Sequence, residues 1–158
     1  MEQIAQEIID MLREKGLTLG AVESATGGLI SSMITAVPGS SDVYMGSVTS
    51  YNNDVKVRVV GVKAAAIKKY GAVSASVARQ MAAGGKKLLG VDICVADTGI
   101  AGPGGATATK PVGLFYLGLA TPDGVRTKKY IFRGTREENQ RKAASTALRW
   151  VREYLRDI

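Results

Sequence analysis

The segment VDICVADT, residues 91–98, sets Ile93, Cys94, Val95 and Ala96 in succession with no polar residue among them. A half-exposed strand alternates apolar and polar positions, whereas an unbroken apolar run bounded by polar turns marks a strand buried on both faces. Such a strand needs helices above and below it, and the rest of the chain supplies them. Residues 2–15 put Ile4, Ile8, Met11 and Leu12 on one helical face and stop at Gly16. LTLGAVES then reads as a strand, TGGLISSMITAV as a helix halted by Pro38-Gly39, and DVYMGSVTSY as a second strand. NNDVKVRVVGV predicts one or two helical turns, and a short helix is expected over residues 64–70.

Ser74 is a good N-cap for ASVARQMAAGGKKLLG, with Val77, Met81 and Leu88 expected inward and the Gly84-Gly85 pair expected to mark close packing. VGLFYLGLAT, the turn PDG and VRTKKYIFR predict an antiparallel hairpin. A last helix begins at Thr135, with Ala144, Leu148, Val151 and Leu155 as its inner stripe. Helices alternating with strands and closing in a hairpin give the fold class: α/β, a single three-layer α/β/α domain over residues 1–158 with a mixed sheet. Strand order does not follow from this reading.

Composition narrows the chemistry. The chain has no histidine and one cysteine, so Ser-His-Asp and Cys-His nucleophilic routes are closed and a structural zinc site is not expected. The 14 acids are scattered, so no metal site is expected, and no cofactor either. A net charge of +7 suits an anionic partner, although the bases are dispersed as on an ordinary solvated surface. The first residues, MEQIAQEIID, carry acids where a secretion signal carries bases, and no apolar run could span a bilayer. These point to a cytoplasmic protein without a membrane partner.

Three stretches could carry chemistry. In ESATGG, glycines between a strand and a helix expose N–H groups suited to a phosphate or an oxyanion, or else Ser24 or Thr26 simply caps the helix. Residues 98–111 form a long Gly-rich loop at a strand's C-terminal end, where open α/β sheets hold ligands. The third is GSSDVYMGSVTSYNNDVK. If Asn53 caps the next helix, Lys56 falls in its first turn, where the dipole disfavours a cation by about 0.3–1 kcal/mol. With burial added, Lys56 becomes a candidate neutral base toward a serine, the pairing that a histidine-free site requires. An ordinary turn and strand with a solvated Lys56 is the competing account.

Taken together, ESATGG, PGSS, SYNNDVK leading into GV, GAVS, TGIAGPGG and KPVG, in that order, resemble the C-terminal domain of the CinA family over nearly the whole chain. Stand-alone members of that family are nicotinamide mononucleotide amidohydrolases. The resemblance implies hydrolysis of a nucleotide carboxamide to the acid plus ammonia by a serine-lysine pair, in a homo-oligomer. Carried over, it implies Ser41 as nucleophile, Lys56 as base and Tyr51 as a hydrogen-bonding helper. Ser24, Thr26, Gly27, Thr98, Gly99, Gly102, Gly104 and Gly105 are implied as substrate-binding residues, with Arg141 as the basic residue of the last helix. A rival assignment makes Ser24 the nucleophile, because it stands at a strand-to-helix turn. Asp97 could bind a substrate hydroxyl, raise the pKa of Lys56, or cap a turn. The chain departs from the family pattern at Ala25, where cysteine is usual, and at Asn52 in Tyr51-Asn52-Asn53, where the family usually reads Tyr-Ser-Asn. Nucleotide hydrolysis by the large N-terminal domain of many members is not carried over. A non-catalytic ligand- or partner-binding module is the alternative, and nucleic-acid binding, resting on charge alone, ranks last.

Overall fold

A computed structural model describes residues 1–158. Five strands, β1 (Leu19–Glu23), β2 (Tyr44–Thr49), β3 (Ile93–Gly99), β4 (Leu114–Thr121) and β5 (Gly124–Ile131), form one sheet in the order β2-β1-β3-β4-β5. β1 runs parallel to both β2 and β3, whereas β4 and β5 are antiparallel additions. Helices α1 (Glu2–Lys15), α2 (Leu29–Thr35) and α6 (Arg136–Asp157) pack on one face. α5 (Ala75–Leu89) covers the other, with α4 (Ala64–Tyr70) beside it. The three-layer arrangement expected from the buried run is therefore present, with that run as the central strand β3.

Strand alternation builds two unlike cores. Toward α1 and α6 the sheet presents Leu19, Ala21, Ile93, Val95, Leu117 and Leu119, which meet Ile8, Ile9, Leu12, Leu148, Val151 and Leu155. Each large aliphatic side chain buried there contributes about 1.5–3 kcal/mol. Toward α5 the sheet is smaller, with Val22, Cys94, Ala96 and Ala120 against Val77, Met81 and Ala82. Here α5 comes in close. A Cβ on Gly85 would lie 2.3 Å from Val22 Cγ2 and 2.7 Å from Cys94 Sγ, so the glycine pair does mark tight packing. Leu88, expected inward, is exposed in the last turn of α5, where Leu89 is the leucine that packs against the second core.

Cys94 sits in this second core, fully buried, its thiol pushed up to about 12 by desolvation. The native protein should therefore resist thiol-directed reagents until it unfolds. Labelling followed with and without denaturant checks this, and rapid labelling of the folded form would contradict the packing described.

Local signals hold at most ends. Gly16 terminates α1 in the left-handed region at φ 66°. Thr135 closes a capping box with Glu138, and the Ser74 hydroxyl accepts from Val77 N–H at 3.3 Å. The short helix α3 (Asn53–Val55) differs in detail. Its cap is Asn52, which accepts from Asp54 N–H at 2.8 Å, rather than Asn53. Lys56 consequently lies beyond the first turn and opens a wide π turn, Lys56–Val60. At the far end of the hairpin, the turn between Thr121 and Gly124 is braced by Asp123, whose N–H donates to Thr121 Oγ1 and whose carboxylate accepts from the Tyr154 hydroxyl at 2.7 Å.

Candidate active site

The sheet order decides which sequence motifs meet. β1 and β3 are parallel neighbours, with Val22 opposite Ala96, so their C-terminal ends deliver Ser24 and Asp97-Thr98 side by side. β2 lies on the other side of β1, which makes this the point where the chain's path switches direction across the sheet and a crevice opens. The crevice is a cleft of about 280 Å³ lined by Ser24, Tyr51, Lys56, Thr98, the loop glycines and Arg136.

Ser41 is not there. It is exposed in a 3-10 turn, Ser40–Asp42, just before β2, where Val43 O accepts from Leu19 N–H at the start of β1. The chain then runs the whole of β2 before Ser50 N–H donates to Glu23 O at the end of β1. Six strand residues at ~3.3 Å each put roughly 20 Å between Ser41 and the cleft. The expected Ser41–Lys56 pairing is thus corrected by strand direction, and the serine that shares the cleft with Lys56 is Ser24.

Lys56 is only 2% exposed. Its Nζ donates to Tyr51 O at 3.1 Å. Burial holds its pKa below the ordinary lysine value, with the charge of Asp97 opposing that shift. This depression arises from burial, not from the helix-cap placement that the sequence suggested. Tyr51 itself is 60% exposed, and its hydroxyl accepts from Arg136 Nη2 at 2.9 Å. Arg136 Nη1 also donates to Gly102 O at 2.8 Å, so the guanidinium ties the long loop to Tyr51 across the mouth of the cleft.

The turn after β1 is fixed from beneath by two buried acids. Ser24 N–H and Thr26 N–H donate to the two oxygens of Asp97 at 3.1 and 3.2 Å. Glu23, also fully buried, accepts from the N–H groups of Gly28, Ile30 and Ser31. Its carboxylate thereby fills the start of α2, and the anion seat anticipated at ESATGG is already taken by the chain's own side chain. Neither Ser24 nor Thr26 caps α2; the N-cap is Gly28. Ala25 N–H, directly after Ser24, makes no hydrogen bond within the protein.

Other expectations sort as follows. Gly99, Gly102, Gly104 and Gly105 line the cleft, and a Cβ on Gly99 would meet the Phe115 ring at 2.4 Å. Thr98 lines it too, but its hydroxyl donates to Ala72 O at 2.8 Å and braces the loop before α5. Thr26 and Gly27 face a neighbouring open hollow together with Arg141. Arg141 pairs with Glu137 at 3.1 Å in solvent and does not line the Lys56 cleft. The basic residue of the last helix that does is Arg136, which sequence reading missed. Its signal was available, since it is the first residue after the Thr135 cap and therefore lies at the end of α6 nearest the preceding loop. Asn139, fully buried, adds donors to Ala101 O and Gly134 O and anchors that loop to α6.

The chain matches the family model described as the CinA C-terminal domain over residues 1–155. It is 42% identical over 156 residues to a CinA-like protein of Thermotoga neapolitana, covering 99% of this chain and 38% of that protein. It is 44% identical over 154 residues to one of Geobacter metallireducens, covering 98% and 37%. The chain thus spans less than two fifths of the length of these relatives. Among solved structures it resembles a CinA superfamily protein from Klebsiella pneumoniae with a TM-score of 0.95 at 25% identity, covering 99% of this chain and 98% of that one. It resembles the competence/damage inducible protein of Agrobacterium tumefaciens with a TM-score of 0.94 at 37% identity, covering 98% and 94%.

Proposed function

We propose a function from one premise: the chain belongs to the CinA C-terminal domain family. It is an amidohydrolase that converts nicotinamide mononucleotide to nicotinic acid mononucleotide and ammonia, with Ser24 as nucleophile and Lys56 as base. The observation that carries this reading is a buried lysine amine of lowered pKa in the same cleft as a serine at a strand-to-helix turn.

Ser24 Oγ attacks the carboxamide carbon while Lys56 Nζ takes its proton. The oxygen that gains charge accepts from Ala25 N–H, the unpaired donor immediately after the nucleophile. Lys56 returns the proton to the departing nitrogen, ammonia leaves, and an acyl ester remains on Ser24. Water then attacks the ester, again with Lys56 as base, and the acid is released. Lys56 and Ser24 share no direct hydrogen bond without substrate, which is common for catalytic pairs before the complex forms. Arg136 stands where the cleft meets the neighbouring hollow and suits the substrate's phosphate.

The sign of the pH dependence follows from the base. Below its pKa Lys56 carries a proton and cannot accept another, so kcat/KM rises with pH, and the rise is centred below the ordinary lysine value because burial depresses it. A profile of kcat/KM against pH, read by ammonia release without added metal, checks this. A rise centred at an ordinary lysine value would remove Lys56 as the base. Tight binding of the nucleotide without any turnover would instead favour a ligand-binding module.

A further inference from the structure

The most deeply buried polar cluster of the site takes no direct part in the reaction above. Thr26 Oγ1 lies 2.6 Å from Glu23 Oε1 and 2.5 Å from Asp97 Oδ1. Both carboxyls are fully buried and Thr26 is 4% exposed. A hydroxyl has one hydrogen and can donate to one of these oxygens only. The second short contact is bonding only if that carboxyl brings a hydrogen of its own. Two ionised carboxylates here would set lone pairs against the hydroxyl oxygen and like charges against each other in a dry site. One proton therefore belongs to the arrangement.

The partners show which acid holds it. Glu23 accepts from three backbone N–H groups as well as from Thr26, so both its oxygens are already engaged as acceptors. Asp97 accepts from only two, and its pKa is raised to about 6, chiefly by burial, against the lowering effect of its hydrogen bonds. We propose that Asp97 donates a proton to Thr26, which donates to the Glu23 carboxylate, and that this relay positions the Ser24 turn and keeps the carboxyl beneath Lys56 uncharged. The second half rests on the reading of Lys56 as the base. An ionised Asp97 raises the pKa of Lys56 and so holds a proton on the base, whereas a protonated Asp97 leaves the amine free of that pull.

The other groups facing this pair are few. They are Glu23 from β1, the Tyr51 carbonyl and, across the cleft, Arg136 from α6. Asp54 is turned to solvent and paired with Arg58 at 2.8 Å.

Infrared spectroscopy with carboxyl-labelled aspartate tests the first half without reference to activity. At pH 5, below the pKa of about 6 that burial gives Asp97, the wild-type protein shows the carbonyl stretch of a protonated aspartic acid, and Asp97→Asn lacks it. Absence of the band in the wild type overturns the relay. The second half is read from kcat/KM for nicotinamide mononucleotide against pH. Thr26→Val strips protonated Asp97 of its acceptor, so the rise moves toward ordinary lysine values and kcat falls about tenfold or more, while Thr26→Ser restores both. An unshifted profile in Thr26→Val overturns it, as does a large downward shift in Asp97→Asn, which would mean that an anion had been removed. A band with no turnover supports the relay and sinks the amidase reading. Turnover without a band does the reverse.

Discussion

Replacing Ser24 with alanine lowers ammonia release from nicotinamide mononucleotide by at least about 10³-fold, Lys56→Met does the same, and Ser41→Ala leaves it within about twofold. The first two changes remove the attacking oxygen and its proton acceptor, which act as a unit, so the double variant should be little worse than either single one. Met keeps the buried stem of Lys56 and deletes only the amine, so the folded protein is retained and is not less stable. The linkage has a definite sign. Between the lowered pKa of Lys56 and the ordinary lysine value the unfolded chain holds a proton that the folded one lacks, so wild-type stability rises with pH through that window. Lys56→Met should lose that rise. Full activity in Ser24→Ala, or loss in Ser41→Ala alone, would overturn the assignment.

Gly84→Ala should destabilise the protein by about 1–3 kcal/mol and lower its activity, although helix propensity alone favours alanine over glycine by up to about 1 kcal/mol. A Cβ at this position would lie 2.1 Å from Val60 O, the carbonyl at the end of the π turn that Lys56 opens. The obstacle is backbone and cannot rotate away, so α5 or the turn must shift. Denaturant titration reads the stability, and a gain would show that the turn yields freely. Gly104→Ala, where nothing lies within 4 Å of an added Cβ, serves as the control for loop glycines and should cost far less stability.

The elements themselves were legible because their signals are local. The capped start of α6, the Gly16 stop and the unbroken apolar run of β3 each depend on a few adjacent residues. The site was legible only in pieces. Which serine meets Lys56 depends on the β2-β1-β3 order, a property of long-range pairing that no motif spacing encodes. The length of β2 did carry a warning, since a strand of that extent separates its two ends by far more than a hydrogen bond. The seat at the start of α2 was misread for another reason. Glu23 and the glycines were both visible, but that the acid would turn forward and accept from Gly28, Ile30 and Ser31 is a packing outcome. Arg136 was passed over because it looked like one more base on a basic surface.

The hairpin turn around Pro122-Asp123 sits at the opposite edge of the molecule from the cleft, since Thr121 lies beyond Ala120, which pairs with Cys94 early in β3, while Phe115 pairs with Gly99 at its close. An engineer wishing to tether this protein to a bead or splice in a reporter would find there a handle whose disturbance costs the Asp123 contacts with Thr121 and Tyr154 and leaves the working crevice untouched.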